Sequence, residues 1–211
     1  MTDTVQTIKD KIILNALTTI GQDGWSWHGI ESAAKAAGYK DGMEYAVFPG
    51  GLSDAVAHFS DFIDRAMISA LNKTQTDQIR IRERIHLAVI TRFELLKAMK
   101  AQAAVKATLS YWALPTRVMM GQQILWRTAD HIWAWAGDTS KDYNHYTKRG
   151  LLNSILIGTS LVFVDDESEN LEVTRAFLQR RIDNIMEIGK AIGGAKTMAS
   201  SIIERYKTAR R

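Results

Sequence analysis

IILNALTTIGQDGWSWHGIESAAKAAGYKDGMEYAVFPGGLSDAVAHF, residues 12–59, carries the architecture in its spacing. Val5, Ile8, Ile12, Ile13, Ala16, Leu17 and Ile20 recur at helical intervals. Asp3 is placed to cap this first helix, which the pattern ends near Gly21. A short helix is expected from about Ser26 to Ala37, stopped by Gly38. A second short helical turn, about Gly42 to Phe48, is broken by Pro49, Gly50 and Gly51. Ser53 or a neighbour then opens a long helix carrying Val56, Phe59, Phe62, Ile63, Met67 and Leu71.

The rest of the chain continues in the same manner. Further helices are expected at 77–99, 101–110, 115–135, 142–164, 171–189 and 195–209, and strand-like alternation is scarce. The fold class is therefore all-α, in 211 residues with only two prolines. The absence of cysteine excludes disulfides, thiolate metal sites and a Cys nucleophile. The run GLLNSILIGTSLVFV (150–164) is too short for a membrane span and reads as a core helix. The polar N-terminus resembles neither a signal nor a transit peptide, so a cytoplasmic chain is expected.

Residues 12–59 resemble the DNA-binding head of TetR-type repressors. The resemblance rests on Gly24-Trp25, Ala34, Ala37-Gly38, Tyr45 and Phe48-Pro49. It implies a helix-turn-helix whose third helix could enter a major groove. The charge argues otherwise. Residues 1–60 hold four lysines against seven acids, net −3, with no arginine. Affinity for DNA comes mainly from phosphate neutralisation, and the recognition-helix segment DGMEYAV offers Asp41 and Glu44 instead. A repressor-like shape without nucleic-acid binding is expected. A TetR-type ligand-responsive transcription regulator is the alternative.

AGDTSKDYNHYTKR (136–149) holds more polar specificity than a helix connector needs. Gly137 can end the preceding helix in a left-handed cap, and Asp142 can cap the next. Asp138 suits the turn between them. His145, Tyr146 and Arg149 then lie on the first turns of a helix. An aromatic–Arg cluster there suits a protein contact.

This motif closely resembles the hallmark of the accessory lipid-binding proteins of coenzyme Q (ubiquinone) biosynthesis. GIESAAKAAG (29–38), VFPGG (47–51), Ile132-Trp133 and FLQRRIDN (177–184) match that family too. The resemblance implies a TetR-like homodimer that does not bind DNA. It implies an isoprenoid lipid or quinone precursor in an apolar pocket. It implies support of the di-iron hydroxylase that acts on demethoxyubiquinone. The neighbourhood of Ile132, Asp138, His145, Tyr146 and Arg149 would dock that enzyme. The family commonly has Trp where this chain has His145.

Met119, Trp126 and Trp133 recur every seven residues on one helix face. With Trp112, Met120, Leu152, Leu156 and Phe163 they are the expected pocket lining; plain core is the competing reading. No Walker loop, Rossmann fingerprint or G-x-S-x-G appears. The single E-x-x-H, Glu83 to His86, falls short of a di-iron set. No catalysis, metal or cofactor is expected.

The last segment is basic and amphipathic. From Lys190 onward six basic residues face one acid, a local +5 in a chain of net +4. Met198, Ile202, Ile203 and Tyr206 share one face, with Arg205 and Lys207 beside it. Such a helix can lie in an anionic membrane interface, giving peripheral association. The expected organisation is a head (1–50), a lipid-binding and dimerisation body (51–190) and a membrane-associating tail (191–211).

Overall fold

The computed structural model describes residues 3–75, 78–139 and 143–184. Its helices are α1 (Val5–Asp23), α2 (Trp27–Ala36), α3 (Met43–Val47), α4 (Leu52–Leu71), α5 (Ile81–Ala98), α6 (Gln102–Trp112), α7 (Val118–Trp135) and α8 (Tyr143–Phe163). A further helix, α9, runs through 172–184. No strand occurs among the described residues. The expected tail helix, with Met198, Ile202, Ile203, Arg205, Tyr206 and Lys207, lies outside the described residues.

The ends of α1 differ from the sequence expectation. Thr4, not Asp3, is the cap: its Oγ1 accepts from the Thr7 backbone N–H at 3.2 Å. The Asp3 carboxylate is drawn away by Lys11 Nζ at 2.7 Å and the Tyr39 hydroxyl at 2.9 Å. The helix also runs through Gly21. A Cβ there would lie 3.0 Å from Ala103 Cβ, so Gly21 lets α1 approach the start of α6. Gly24 ends the helix instead, at φ 79°.

Helix α4 is the centre of the molecule, packing on α1, α2, α5 and α7. Helices α7 and α8 form an antiparallel pair beside it. Buried side chains from α1 through α9 join into one apolar core, with Ile12, Phe48, Ile63, Phe93, Ile132 and Phe163 among its most enclosed members. The run 150–164 buries Leu152, Ile155, Leu156 and Phe163 but leaves Leu151 and Leu161 exposed. It is a one-sided core helix. No helix of the described residues is long and apolar enough to cross a membrane.

Helices α1 and α4 are also joined by charge. Arg65 on α4 grips Asp10 on α1 through both carboxylate oxygens, at 2.6 and 3.1 Å. His58 Nε2 stands 2.7 Å from the same carboxylate. Burial pushes the His58 pKa down, and Asp10 offsets only part of that. Burial likewise lowers His86. Below about pH 6.5 the unfolded histidines take up protons before the folded ones can. Stability should therefore fall as pH drops from 7 through the folded pKa values. His58→Gln should flatten that slope in thermal melts taken between pH 7 and 5; an unchanged slope would leave His58 out of it.

Candidate functional site

Helices α4 to α8 enclose a cavity of about 260 Å³. Phe59, Leu96, Val105, Leu109, Ile124, Leu125 and Leu156 supply its apolar wall. Trp112 lines it from the end of α6, seated by Gly121 on α7. A Cβ at Gly121 would meet Trp112 Cβ at 2.8 Å, so the two helices close up only with glycine there.

The cavity has a polar side. Ser60, Arg92 and Thr128 reach it from α4, α5 and α7. Behind them sits Asp64, with 0% exposure. Its carboxylate accepts from Arg92 Nη1 and from the Thr128 hydroxyl, the latter at 2.8 Å. Arg127 Nε lies 3.8 Å and His131 Nδ1 3.9 Å from Asp64 Oδ2. A buried carboxylate survives because cations and a hydroxyl surround it.

The structure distributes the expected lining residues over several environments. Trp112 and Leu156 are on the cavity wall. Met119 and Met120 are on the outer side of the first turn of α7, Met119 at 71% exposure. Trp126 lies against Tyr146 with the rings tilted 40° and their centroids 6.1 Å apart. Trp133 donates from Nε1 to the Lys148 carbonyl at 3.2 Å. Leu152 is buried in the core, and Phe163 packs there on Phe93, ring centroids 5.0 Å apart. The cavity is bounded instead by the α7 face of Val118, Gly121, Gln122, Leu125 and Thr128. Sequence reading missed Phe59, Ser60 and Arg92, which sit on α4 and α5, and Val105, two turns before Trp112 on α6. Arg92 carried a signal: a lone charge between Ile90 and Phe93, both buried.

The connection between α7 and α8 is tightly built. Gly137 takes φ 89°. The Asp138 N–H donates to the Trp133 carbonyl at 3.0 Å and the Gly137 N–H to the Ala134 carbonyl at 3.1 Å, a Schellman cap. The Asp138 carboxylate then accepts from Lys148 Nζ at 2.7 Å and Arg149 Nη1 at 3.4 Å. Arg149 also donates to Asp130 and, at 3.1 Å, to the His145 carbonyl.

Three expected contact residues are corrected by this geometry. The Asp138 carboxylate is buried, closed between Lys148 and Arg149. Arg149 is buried, because two carboxylates and a carbonyl hold its guanidinium inside the hairpin. Ile132 has 0% exposure and belongs to the core, since its face of α7 turns inward. Tyr146 does face outward, at 64% exposure, with His145 against its ring at 5.3 Å. The expected cap Asp142 lies outside the described residues.

Three of the four lysines of residues 1–60 pair with acids of the same stretch. Lys9 pairs with Asp54 at 3.3 Å, Lys11 with Asp3 at 2.7 Å and Lys35 with Asp41 at 3.2 Å. Glu44, expected on the outer face of the recognition-helix segment, is buried instead. Helix α3 is a single short turn, and packing of its inner side takes Glu44 with Val47.

A profile of the COQ9 family matches residues 118–189, covering α7, α8 and α9. Ubiquinone biosynthesis protein COQ9, mitochondrial, of Rattus norvegicus is 26% identical over 204 residues, 93% of this chain. Its Homo sapiens counterpart is 24% identical over the same share of the chain. The Drosophila melanogaster protein of that name is 25% identical over 209 residues, 97% of the chain. The chain resembles the COQ9 family.

The COQ9-like match includes the α7–α8 connection and one whole side of the cavity. The chain spans 63–64% of the length of the curated relatives from rat and human. The crystal structure of a TetR transcriptional regulator from Nitrosomonas europaea superposes with TM-score 0.63 at 18% identity, covering 83% of this chain and 96% of that one. The fold is TetR-like and all-α.

Proposed function

We propose that this chain is a non-catalytic lipid-binding accessory protein of ubiquinone biosynthesis. It takes an isoprenoid quinone precursor from a membrane and presents it to the demethoxyubiquinone hydroxylase. The observation that carries this reading is the largely apolar cavity between α4 and α8 in a COQ9-like chain. In this reading the head (1–50) is a scaffold, the body (51–190) holds lipid and forms a homodimer, and the tail (191–211) visits the membrane. A long apolar chain leaves a bilayer only for a comparable environment, since each buried methylene is worth about 0.8 kcal/mol. The cavity supplies part of one.

Leu156→Trp tests the site. Leu156 is buried at the cavity wall, so an indole there fills the space. Lipid co-purifying with the protein, read by native mass spectrometry, should fall several-fold while the helical circular dichroism persists. An unchanged lipid load would place the site elsewhere.

The exposed Tyr146 with His145 is the proposed enzyme-contact face. Tyr146→Ala should weaken association with the hydroxylase about tenfold or more, as loss of an aromatic anchor does, with little change in melting temperature. Equal losses of binding and stability would make Tyr146 a packing residue. A DNA-binding regulator is disfavoured by the head's paired lysines. Saturable operator binding in a low-salt gel shift would reverse that preference.

A further inference from the structure

The cavity reaches the surface at one corner. Phe59, Leu96, Val105, Ile124 and Leu156 on its wall are buried. The exposed wall residues are Ala113, Val118 and Gln122, where α6 turns into α7. The entrance for an apolar ligand is therefore at this turn. It is framed by apolar side chains: Leu114, Val118, Met119 and Met120 are all exposed. The other exposed large apolar side chains among the described residues stand singly along the chain. Single ones are ordinary on a protein surface, whereas a cluster marks a contact. The corner is a fixed turn. The Arg117 and Val118 N–H groups both donate to the Leu114 carbonyl, at 2.9 and 3.0 Å, and the Gly121 N–H donates to the Arg117 carbonyl at 3.1 Å.

Charge selects the partner. Residues 95–129 contain Lys97, Lys100, Lys106, Arg117 and Arg127 and no acid. Arg117 stands in the corner itself, with its guanidinium 4.0 Å over the Tyr111 ring, and no carboxylate among the described residues pairs with it. Lys106, on α6, reaches only Asp165, at 3.8 Å, with both side chains largely exposed. Apolar side chains backed by unneutralised cations suit the interface of an anionic bilayer. Methionine, unbranched and flexible, adapts to irregular apolar surroundings. An arginine can bury its stem there and keep its charge at the head groups.

We infer that this corner is the membrane contact of the cavity: Leu114, Val118 and Met119 enter the acyl region of an anionic bilayer, Arg117 stays at the level of the head groups, and the ligand passes in at the α6–α7 turn without crossing water. A long apolar molecule crosses water at a cost of about 0.8 kcal/mol per exposed methylene, so an entrance seated on the bilayer speeds its transfer. This inference rests on the lipid-carrier reading above. It adds a bilayer contact on the body itself, at the cavity entrance, beside the one proposed for the tail.

The test uses the full chain, which has no cysteine of its own. Met119→Cys carries one nitrobenzoxadiazole label at the corner, and Ser154→Cys carries one at an exposed position of α8. On vesicles of phosphatidylcholine with phosphatidylglycerol, the label at 119 should brighten several-fold, shift to the blue and be quenched by nitroxide on the acyl chains. The label at 154 should do none of these. Vesicles that pellet the protein without changing the label at 119 would overturn the corner contact and leave the carrier reading with the tail as its anchor. Brightening at 119 that follows protein concentration without vesicles would assign the corner to a second copy of the chain and overturn the inference. Leu114→Glu combined with Met119→Glu should slow uptake of decylubiquinone from the same vesicles several-fold, read by quenching of tryptophan emission, with the final extent unchanged. Uptake at the parent's rate would overturn the entrance. No uptake by the parent chain would overturn the carrier reading itself, whatever the label reports.

Discussion

Asp64→Ala should be the most damaging single substitution, costing about 3–5 kcal/mol, the usual penalty for breaking a buried ion pair by removing one partner. Asp64 has no exposure, and it is the anchor for Arg92 and the Thr128 hydroxyl, with Arg127 and His131 close by. Without it, Arg92 keeps its charge at a largely apolar wall. For a chain of this size each kcal/mol moves the melting temperature by roughly 2–4 °C. A drop of about 10 °C is expected in thermal circular dichroism. The double replacement Asp64→Leu with Arg92→Met should recover much of it, because no unpaired charge remains. If the single and double variants melt together, the pair contributes nothing beyond packing.

Asp166→Ala should cost about 2–4 kcal/mol, from the loss of several hydrogen bonds at a buried site. Asp166 stands just beyond α8 and clasps the start of α9. Its Oδ2 accepts from the Thr174 backbone N–H at 2.8 Å and from the Thr174 hydroxyl at 2.6 Å. Its Oδ1 accepts from the Ser168 N–H at 3.0 Å and from the Ser168 hydroxyl. Burial alone would raise its pKa, but these donors outweigh burial and hold the carboxyl below its usual range. The folded state therefore gains from Asp166 at all pH values above the unfolded value of 3.8. That gain is lost as pH falls from there through the folded pKa. The variant should melt lower at pH 7 and show a shallower acid limb below about pH 4. An acid limb parallel to the parent's would show that other carboxylates, such as Asp10, carry it.

Much of the helix order was legible because its signals are local. The periodicity of residues 5–20, the breaker at Pro49 and the left-handed Gly137 act within a few residues of where they stand. The structure adds a cap that was not read from the sequence: Ser26 Oγ accepts from the Gly29 N–H, at 3.1 Å. Where a local rule was overridden, a distant partner did it. Asp3 gave up its capping role to Lys11 and Tyr39.

The candidate site was legible only in part. Trp112 and Leu156 were marked by size and apolar character, and Tyr146 by its place in the motif. Periodicity could not choose between the Met119–Trp126–Trp133 face of α7 and the adjacent one, since both are apolar. The choice fell to Gly121, where the absence of a side chain draws α7 against Trp112. Arg149 reads as a surface cation until Asp130 and Asp138, 19 and 11 residues before it, close on it from the hairpin. Asp64 offered no signal, for its partners Arg92 and Thr128 lie 28 and 64 residues further along the chain. The order of the helices follows from short-range side-chain spacing and breakers, which the sequence alone determined. Which charge is buried, and which face looks onto the cavity, is a property of three or more helices packed together, and only the tertiary structure decided it.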